Sequence, residues 1–158
     1  MKNKIVILLL SVFSVTTFGF AASVNVEPPL MKISFDRSFT SLEVEDNIAV
    51  VLTNETGNEI SLAGDKEYVK RVRATVKRGR LYIWLTGSEK GERVTVYVPA
   101  ALLRQVVING DSYVSTASTL NNAGMLVVVN GACKLFIKSR GRIDISGTSC
   151  LLYTSRCV

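Results

Sequence analysis

The sequence predicts an all-β domain built as a parallel β-helix, and three observations indicate this fold. A short sequence motif occurs three times, with its copies centred on Gly110, Gly131 and Gly147. Apolar and polar residues alternate on both sides of each glycine, which is typical of strands with one buried face. Similar residues recur at the same distance from each glycine, as the stacked rungs of a β-helix require.

Each copy of the motif predicts a strand, a corner and a second strand. Apolar residues stand two and four positions before each glycine and four positions after it: Ile108, Val129 and Ile145; Val106, Val127 and Ile143; Val114, Leu135 and Leu151. We expect equivalent residues to lie above one another on successive rungs, about 4.8 Å apart.

The corners have their own residue pattern. Asn109, Asn130 and Ser146 precede the three glycines, and stacked asparagines can hydrogen-bond along such a column. Small residues follow two positions after each glycine and are expected to point inward: Ser112, Cys133 and Ser149. The alternative is a β-sandwich in which the Asn-Gly pairs form hairpin turns.

The N-terminus predicts export. Lys2 and Lys4 precede an apolar run that ends at Ala21-Ala22, the pattern of a cleaved signal peptide. We therefore divide the chain into a signal peptide over residues 1–21, a flexible leader over 22–32 that contains Pro28-Pro29, and one β-helix domain over 33–158.

Before the glycine repeats, the chain shows further strand patterns. Residues 42–48 and 50–52 predict a strand pair around a polar bend, and residues 94–98 predict another strand. Between them, residues 68–85 alternate clearly, with a turn at Arg78-Gly79-Arg80. We expect Val72 and Ile83 to face the core. No amphipathic helix longer than about two turns is predicted.

Composition excludes several kinds of chemistry. The sequence contains no histidine, which removes Ser-His-Asp and Cys-His catalytic arrangements and His-ligated zinc. We expect Cys133 to be a buried thiol and Cys150 to lie on the opposite face, so that a bridge between them is unfavourable. A disulfide between Cys150 and Cys157 remains open if the compartment is oxidising. We predict no catalytic residues, no cofactor and no bound metal.

A cation-rich segment is the candidate ligand surface. Seven lysines and arginines lie within residues 66–80, and two aromatic residues follow closely. The predicted surface consists of Arg71, Arg73, Lys77, Arg78, Arg80, Tyr82 and Trp84. Its alternative is a solvated strand face whose charges discourage edge-to-edge aggregation.

An acidic cluster raises a second, weaker hypothesis. Glu43, Glu45 and Asp46 supply oxygen ligands of the kind that calcium prefers. No spaced Asp/Gly repeat accompanies them, so we interpret the cluster as a solvated bend.

The order of these elements resembles a known family. The resemblance is carried by residues 39–44, 64–65, 76–83 and 94–99, followed by the Asn/Ser-Gly repeats. Together they are similar to the bacterial head GIN domain, a family described as an auto-transporter adhesin and common in secreted proteins of Bacteroidetes. The resemblance covers roughly residues 33–153. It implies a right-handed parallel β-helix-like fold, a location beyond the inner membrane and no established enzyme activity, and it supplies no binding residues.

These observations predict a secreted or cell-envelope adhesin or surface-interaction module that is not an enzyme. It would be periplasmic, outer-membrane-associated or extracellular. The expected partner is an acidic glycan or another cell-surface component, and nucleic acid is disfavoured. Two alternatives stay open: a polysaccharide-processing β-helix enzyme, and a structural envelope protein that stacks end to end as a homo-oligomer.

Overall fold

The strands form two sheets packed across a shared hydrophobic core. The computed structural model describes residues 31–45, 47–87 and 93–147, and the backbone of residues 150–156. The signal peptide, most of the leader, Asp46, Ser149 and Cys157 lie outside these residues. In the described part of the chain, no helix has the length and apolar character needed to cross a bilayer.

The described elements are nearly all strands, joined by short turns. In chain order they are β1 (Met31–Ser34), β2 (Ser41–Glu45), β3 (Ile48–Thr53), β4 (Glu59–Ala63), α1 (Lys66–Val69), β5 (Val72–Lys77), β6 (Arg80–Leu85), β7 (Val94–Pro99), β8 (Gln105–Asn109), β9 (Tyr113–Thr116), β10 (Gly124–Asn130), β11 (Cys133–Ser139), β12 (Arg142–Gly147) and β13 (Cys150–Arg156). The all-β prediction is therefore confirmed.

The chain alternates between the two sheets. Within the described residues, one sheet has the order β1-β4-β7-β3-β9-β11-β13 and the other β12-β10-β8-β2-β6-β5. Five sets of two consecutive strands place their first strand in the six-stranded sheet and their second in the seven-stranded sheet: β2–β3, β6–β7, β8–β9, β10–β11 and β12–β13. Strands of adjacent sets are hydrogen-bonded in parallel. Antiparallel pairs join β1 to β4, β4 to β7 and β5 to β6. The sheets are thus open and mixed, whereas a purely parallel β-helix would have no antiparallel pairs.

The first two glycine repeats stack as the sequence predicts. Val106 pairs with Val127, and Ile108 pairs with Val129. In the seven-stranded sheet Val114 pairs with Leu135. All six residues are at most 1% exposed, so equivalent apolar residues of these two copies form columns inside the core.

The third repeat does not keep the predicted register. Ile145 pairs with Val127 instead of Val129, and Gly147 pairs with Val129. The turn before β12 explains the shift, because Gly141 packs against the backbone of Ala123 and thereby sets Arg142 beside Gly124. The prediction that Ile145 superposes on Ile108 and Val129 is therefore wrong by two residues.

A further rung lies where the sequence shows no glycine. In β2, Val44 pairs with Ile108 on one side and with Ile83 on the other. The column of buried residues thus runs through Ile83, Val44, Ile108 and Val129. It was not predicted as one column, because β2 and β6 lack the Asn-Gly corner that reveals the other copies.

The register also corrects one cysteine prediction. Cys133 is buried, as predicted, and so is Ser112. The backbone of β13, however, sets Cys150 directly beside Cys133, so the predicted placement of these two residues on opposite faces is wrong. The predicted Cys150–Cys157 disulfide lies outside the described residues.

At the β1 end of its sheet, an exposed ion pair joins β1 to β4. Lys32 Nζ lies 2.9 Å from Glu59 Oε1, and Ser34 Oγ donates to Glu59 Oε2 at 3.0 Å. The hydrogen bond from Lys32, followed by that from Ser34, lowers the pKa of Glu59. The hydrogen bond to Glu59 raises the pKa of Lys32.

The pair predicts a small loss of stability in acid. Since the pKa of Glu59 is lower in the folded state, its contribution is present above the ordinary carboxyl pKa and is lost as pH falls through the folded value. We expect E59Q to reduce the slope of stability against pH on the acid side. Because E59Q also removes the bond that raises the pKa of Lys32, it should reduce the loss of stability as pH rises through the lysine range as well. Urea denaturation at a series of pH values measures this, and an unchanged acid slope would contradict it.

Candidate functional site

The candidate surface lies on the β5–β6 hairpin, which closes one end of the six-stranded sheet. Arg78 and Gly79 connect the strands, with φ of 52° and 75°. Two consecutive positive φ values are typical of the tight turn whose twist matches a two-residue hairpin. The predicted turn is therefore confirmed.

Alternation divides the hairpin into a core face and an outer face. Val72, Leu81 and Ile83 are at most 3% exposed. The residues between them face outward and form three cross-strand pairs: Arg73 with Trp84, Thr75 with Tyr82, and Lys77 with Arg80. Tyr82 and Trp84 are half-buried, whereas Arg73 and Lys77 are exposed.

Five of the seven predicted site residues thus share one face, and two lie elsewhere. Arg71 precedes β5, and its guanidinium carbon lies 5.3 Å from the centre of the Tyr68 ring. Arg78 is exposed in the turn at the end of the hairpin. The seven residues therefore do not form a single cationic strip.

An open groove of about 440 Å³ lies along this outer face. Its lining combines carboxylates, a hydroxyl, an ammonium group and aromatic rings: Glu43, Glu45, Thr75, Lys77, Tyr82, Ile83 and Trp84. The carboxylates come from β2, which runs parallel to β6 and places Glu43 beside Tyr82.

Glu43 is the centre of a polar network that the sequence did not reveal. Arg80 Nη1 donates to Glu43 Oε2 at 2.8 Å, and Asn109 Nδ2 donates to Glu43 Oε1 at 3.2 Å. Asn130 Nδ2 in turn donates to Asn109 Oδ1 at 2.9 Å. The network links β6, β2, β8 and β10, and it confirms the predicted asparagine stacking for these two corners.

The same network removes Arg80 from the set of available cations. The Arg80 guanidinium forms an ion pair with Glu43, whose side chain is 17% exposed. The guanidinium carbon of Arg80 also lies 5.9 Å from the centre of the Tyr82 ring. Because a partly buried ion pair is costly to break from one side, Arg80 acts as a support for Glu43 and Tyr82. Arg73 and Lys77 then remain as the cations that a ligand could meet.

The side chains of Arg73 and Lys77 differ in how firmly other groups hold them. Arg73 Nη1 donates to the carbonyls of Lys70 and Val72 at 2.7 and 3.1 Å, so its guanidinium is held in place. Lys77 forms no ion pair with any described residue, and the same holds for Glu45. Lys70 is paired with Glu67 at 2.9 Å and lies outside the groove lining.

The network predicts a measurable stability difference between two asparagines. We expect N109A to lower the free energy of unfolding by about 1 kcal/mol, because Asn109 both donates to Glu43 and accepts from Asn130. N130A removes one of these bonds from an exposed position and should cost less. Urea denaturation of both variants compares them, and an equal or larger loss for N130A would contradict the network.

The predicted calcium hypothesis finds no geometric support. Glu43 is occupied by Arg80 and Asn109, and Asp46 lies outside the described residues. Among the described residues, no group of three or more His, Cys, Asp or Glu side chains is placed to hold a metal ion.

The geometry thus gives two sheets, one of which carries a polar and aromatic groove on its outer face. The family model described as "Putative auto-transporter adhesin, head GIN domain" matches residues 38–150. This match spans well over half of the chain, so the chain belongs to the head GIN domain family. No curated protein matches the chain.

Several solved structures have a similar fold. A protein described as a "putative adhesin" from Parabacteroides merdae ATCC 43184 superposes with a TM-score of 0.51 and 16% identity, over 74% of this chain and 51% of that one. A second, from Parabacteroides distasonis ATCC 8503, gives 0.50 and 13%, over 80% of this chain and 65% of that one. At such low identity the likeness concerns the fold. The chain spans between half and two thirds of these relatives' lengths.

Proposed function

We propose that this chain is an exported, non-enzymatic surface-interaction module that binds an acidic glycan through the outer face of the β5–β6 hairpin. The observation that carries the proposal is the groove in which the exposed Lys77 stands beside the half-buried rings of Tyr82 and Trp84. The predicted signal peptide over residues 1–21 supports a location in the periplasm, at the outer membrane or outside the cell.

With its aromatic rings, the groove is better suited to bind a sugar than a flat surface with charges alone would be. Aromatic rings offer large apolar faces with a polar group at one end, and the C–H faces of sugar rings pack against such surfaces. Tyr82 and Trp84 are half-buried, so they lose little conformational freedom when a ligand binds. Lys77 adds attraction for a carboxylate or sulfate group.

We also infer that the parallel strand pairs wind as a right-handed β-helix-like stack. The neighbouring rungs then hold the strands of the groove in place, because β6 pairs with β2 and β2 pairs with β8 through a buried column. A stiff support keeps the two aromatic rings in one arrangement and limits the entropy lost on binding.

The binding test uses polygalacturonate as the acidic glycan. We expect the double variant R73Q/K77Q to bind about tenfold more weakly than the unmodified protein, as loss of two exposed charge pairs allows. The matched control is K134Q/K138Q, which removes two exposed lysines from β11 in the other sheet. Calorimetric titration at fixed salt measures both.

Two outcomes would overturn the proposal. Equal weakening by K134Q/K138Q would show that net charge, and not this face, controls binding. Shorter polygalacturonate chains after incubation with the unmodified protein would instead favour the polysaccharide-processing enzyme.

The sheet ends favour a second candidate function. Strands β12 and β13 are adjacent in the stack and terminate the two sheets within the described residues. Such edges can pair with another chain, so end-to-end assembly of identical copies is a structural alternative. Light scattering over a range of concentrations tests it, since a constant monomeric mass would exclude assembly.

A further inference from the structure

We propose that the groove selects a glycan in which acidic and neutral sugars alternate. This inference rests on the proposed glycan-binding function and adds the pattern of charge along the ligand. It follows from the positions of four charged side chains around the two aromatic rings.

The two available cations lie on the same strand, toward the two ends of the aromatic pair. Lys77 lies one residue pair beyond Tyr82 and lines the groove. Arg73 lies level with Trp84 and outside the groove lining, with its guanidinium bonded to two carbonyls at the start of β5. Lys77 and Arg73 are four residues apart on β5, a separation of about 13 Å along an extended strand. Between them, Thr75 pairs with Tyr82, while Trp84 pairs with Arg73 itself. A ligand lying along the hairpin would meet Lys77, then the aromatic pair, with the Arg73 guanidinium at the outer end of Trp84.

The carboxylates lie on the other side of the same rings. Glu43 pairs with Tyr82, and Glu45, one residue past the Val44–Ile83 pair, lies at the level of Trp84. Glu43 is neutralised by Arg80 and hydrogen-bonded by Asn109. Glu45 is exposed, lines the groove and forms no ion pair with any described residue.

This arrangement penalises an acidic group at the centre of the groove. A carboxylate on the sugar above Tyr82 and Trp84 would approach Glu45, and like charges repel. A neutral sugar at that position meets no such repulsion and can hydrogen-bond to the Glu45 and Thr75 oxygens. Acidic groups on the two flanking sugars would meet Lys77 and Arg73.

Three hexasaccharides of defined charge pattern test this selectivity. Hyaluronan hexasaccharide carries a carboxylate on every second sugar, hexagalacturonate carries one on every sugar, and chitohexaose is neutral. Calorimetric titration of the unmodified protein should give the tightest binding for hyaluronan. We expect hexagalacturonate to bind about fivefold more weakly, the upper range for one exposed charge contact.

Single-charge variants assign the selectivity to residues. E45Q should remove most of the difference between hyaluronan and hexagalacturonate, because it removes the repulsion at the central sugar. K77Q should reduce the difference between hyaluronan and chitohexaose. The matched control is E55Q, which removes another exposed carboxylate, from the β3–β4 turn, and should change neither difference.

The outcomes separate this inference from the function on which it rests. Binding of hexagalacturonate as tight as that of hyaluronan, or an unchanged preference in E45Q, would overturn the alternating pattern and leave acidic-glycan binding in place. Absence of binding to all three hexasaccharides and to polygalacturonate would overturn both.

Discussion

Replacement of Gly131 by alanine is expected to lower the free energy of unfolding by about 3 kcal/mol, the upper range for a forced overpacking. A Cβ atom at Gly131 would lie 2.6 Å from the carbonyl oxygen of Gly110 and 2.8 Å from its nitrogen. Both atoms belong to backbone at a corner, so a side-chain rotation cannot relieve the contact. For a domain whose total stability is about 5–15 kcal/mol, this is a large fraction.

The measurement is urea denaturation followed by the fluorescence of Trp84, the one tryptophan of the sequence. Gly124→Ala serves as the control, because its Cβ would meet the Arg142 carbonyl oxygen at 3.4 Å, a contact that a small shift relieves. Equal destabilisation by the two variants would show that corner stacking does not constrain Gly131.

The two corner glycines also illustrate what sequence reasoning could and could not supply. A glycine at a bend suggests unusual backbone angles, and Gly110 indeed has a φ of 89°. Gly131 has no positive φ and is required by close approach to Gly110. The residue type was informative at both corners, but the physical reason at Gly131 depends on the neighbouring rung.

Strand faces were predictable because alternation is a local property. Val72 and Ile83 face the core as predicted, and Tyr82 and Trp84 face outward. Register was less predictable because it depends on turns and on contacts between distant segments. The third repeat is shifted by two residues relative to its glycine, and β4, which pairs antiparallel with β7, carries no repeat that would reveal its partner.

In the candidate site, too, local features were predictable from the sequence and contacts between distant segments were not. The sequence located the cations and the aromatic residues, which lie close together along the chain. It could not show that Glu43 joins them, because Glu43 reaches Arg80 across 37 positions and Asn109 across 66. That carboxylate had been interpreted as part of a solvated acidic bend, and pairing between parallel strands places it in the groove.

The largest expected loss comes from the centre of the buried column. Ile108 is fully buried and lies between Val44 and Val129 on the neighbouring rungs. I108A should lower the free energy of unfolding by about 4 kcal/mol, since it removes buried methyl and methylene groups and leaves a cavity that two fixed strands cannot close. V107A is the matched control, because Val107 is half-buried on the outer face of the same strand and should cost about 1 kcal/mol or less. Chemical denaturation of both variants gives the comparison, and a loss at Ile108 no larger than that at Val107 would contradict the stacked column that supports the groove.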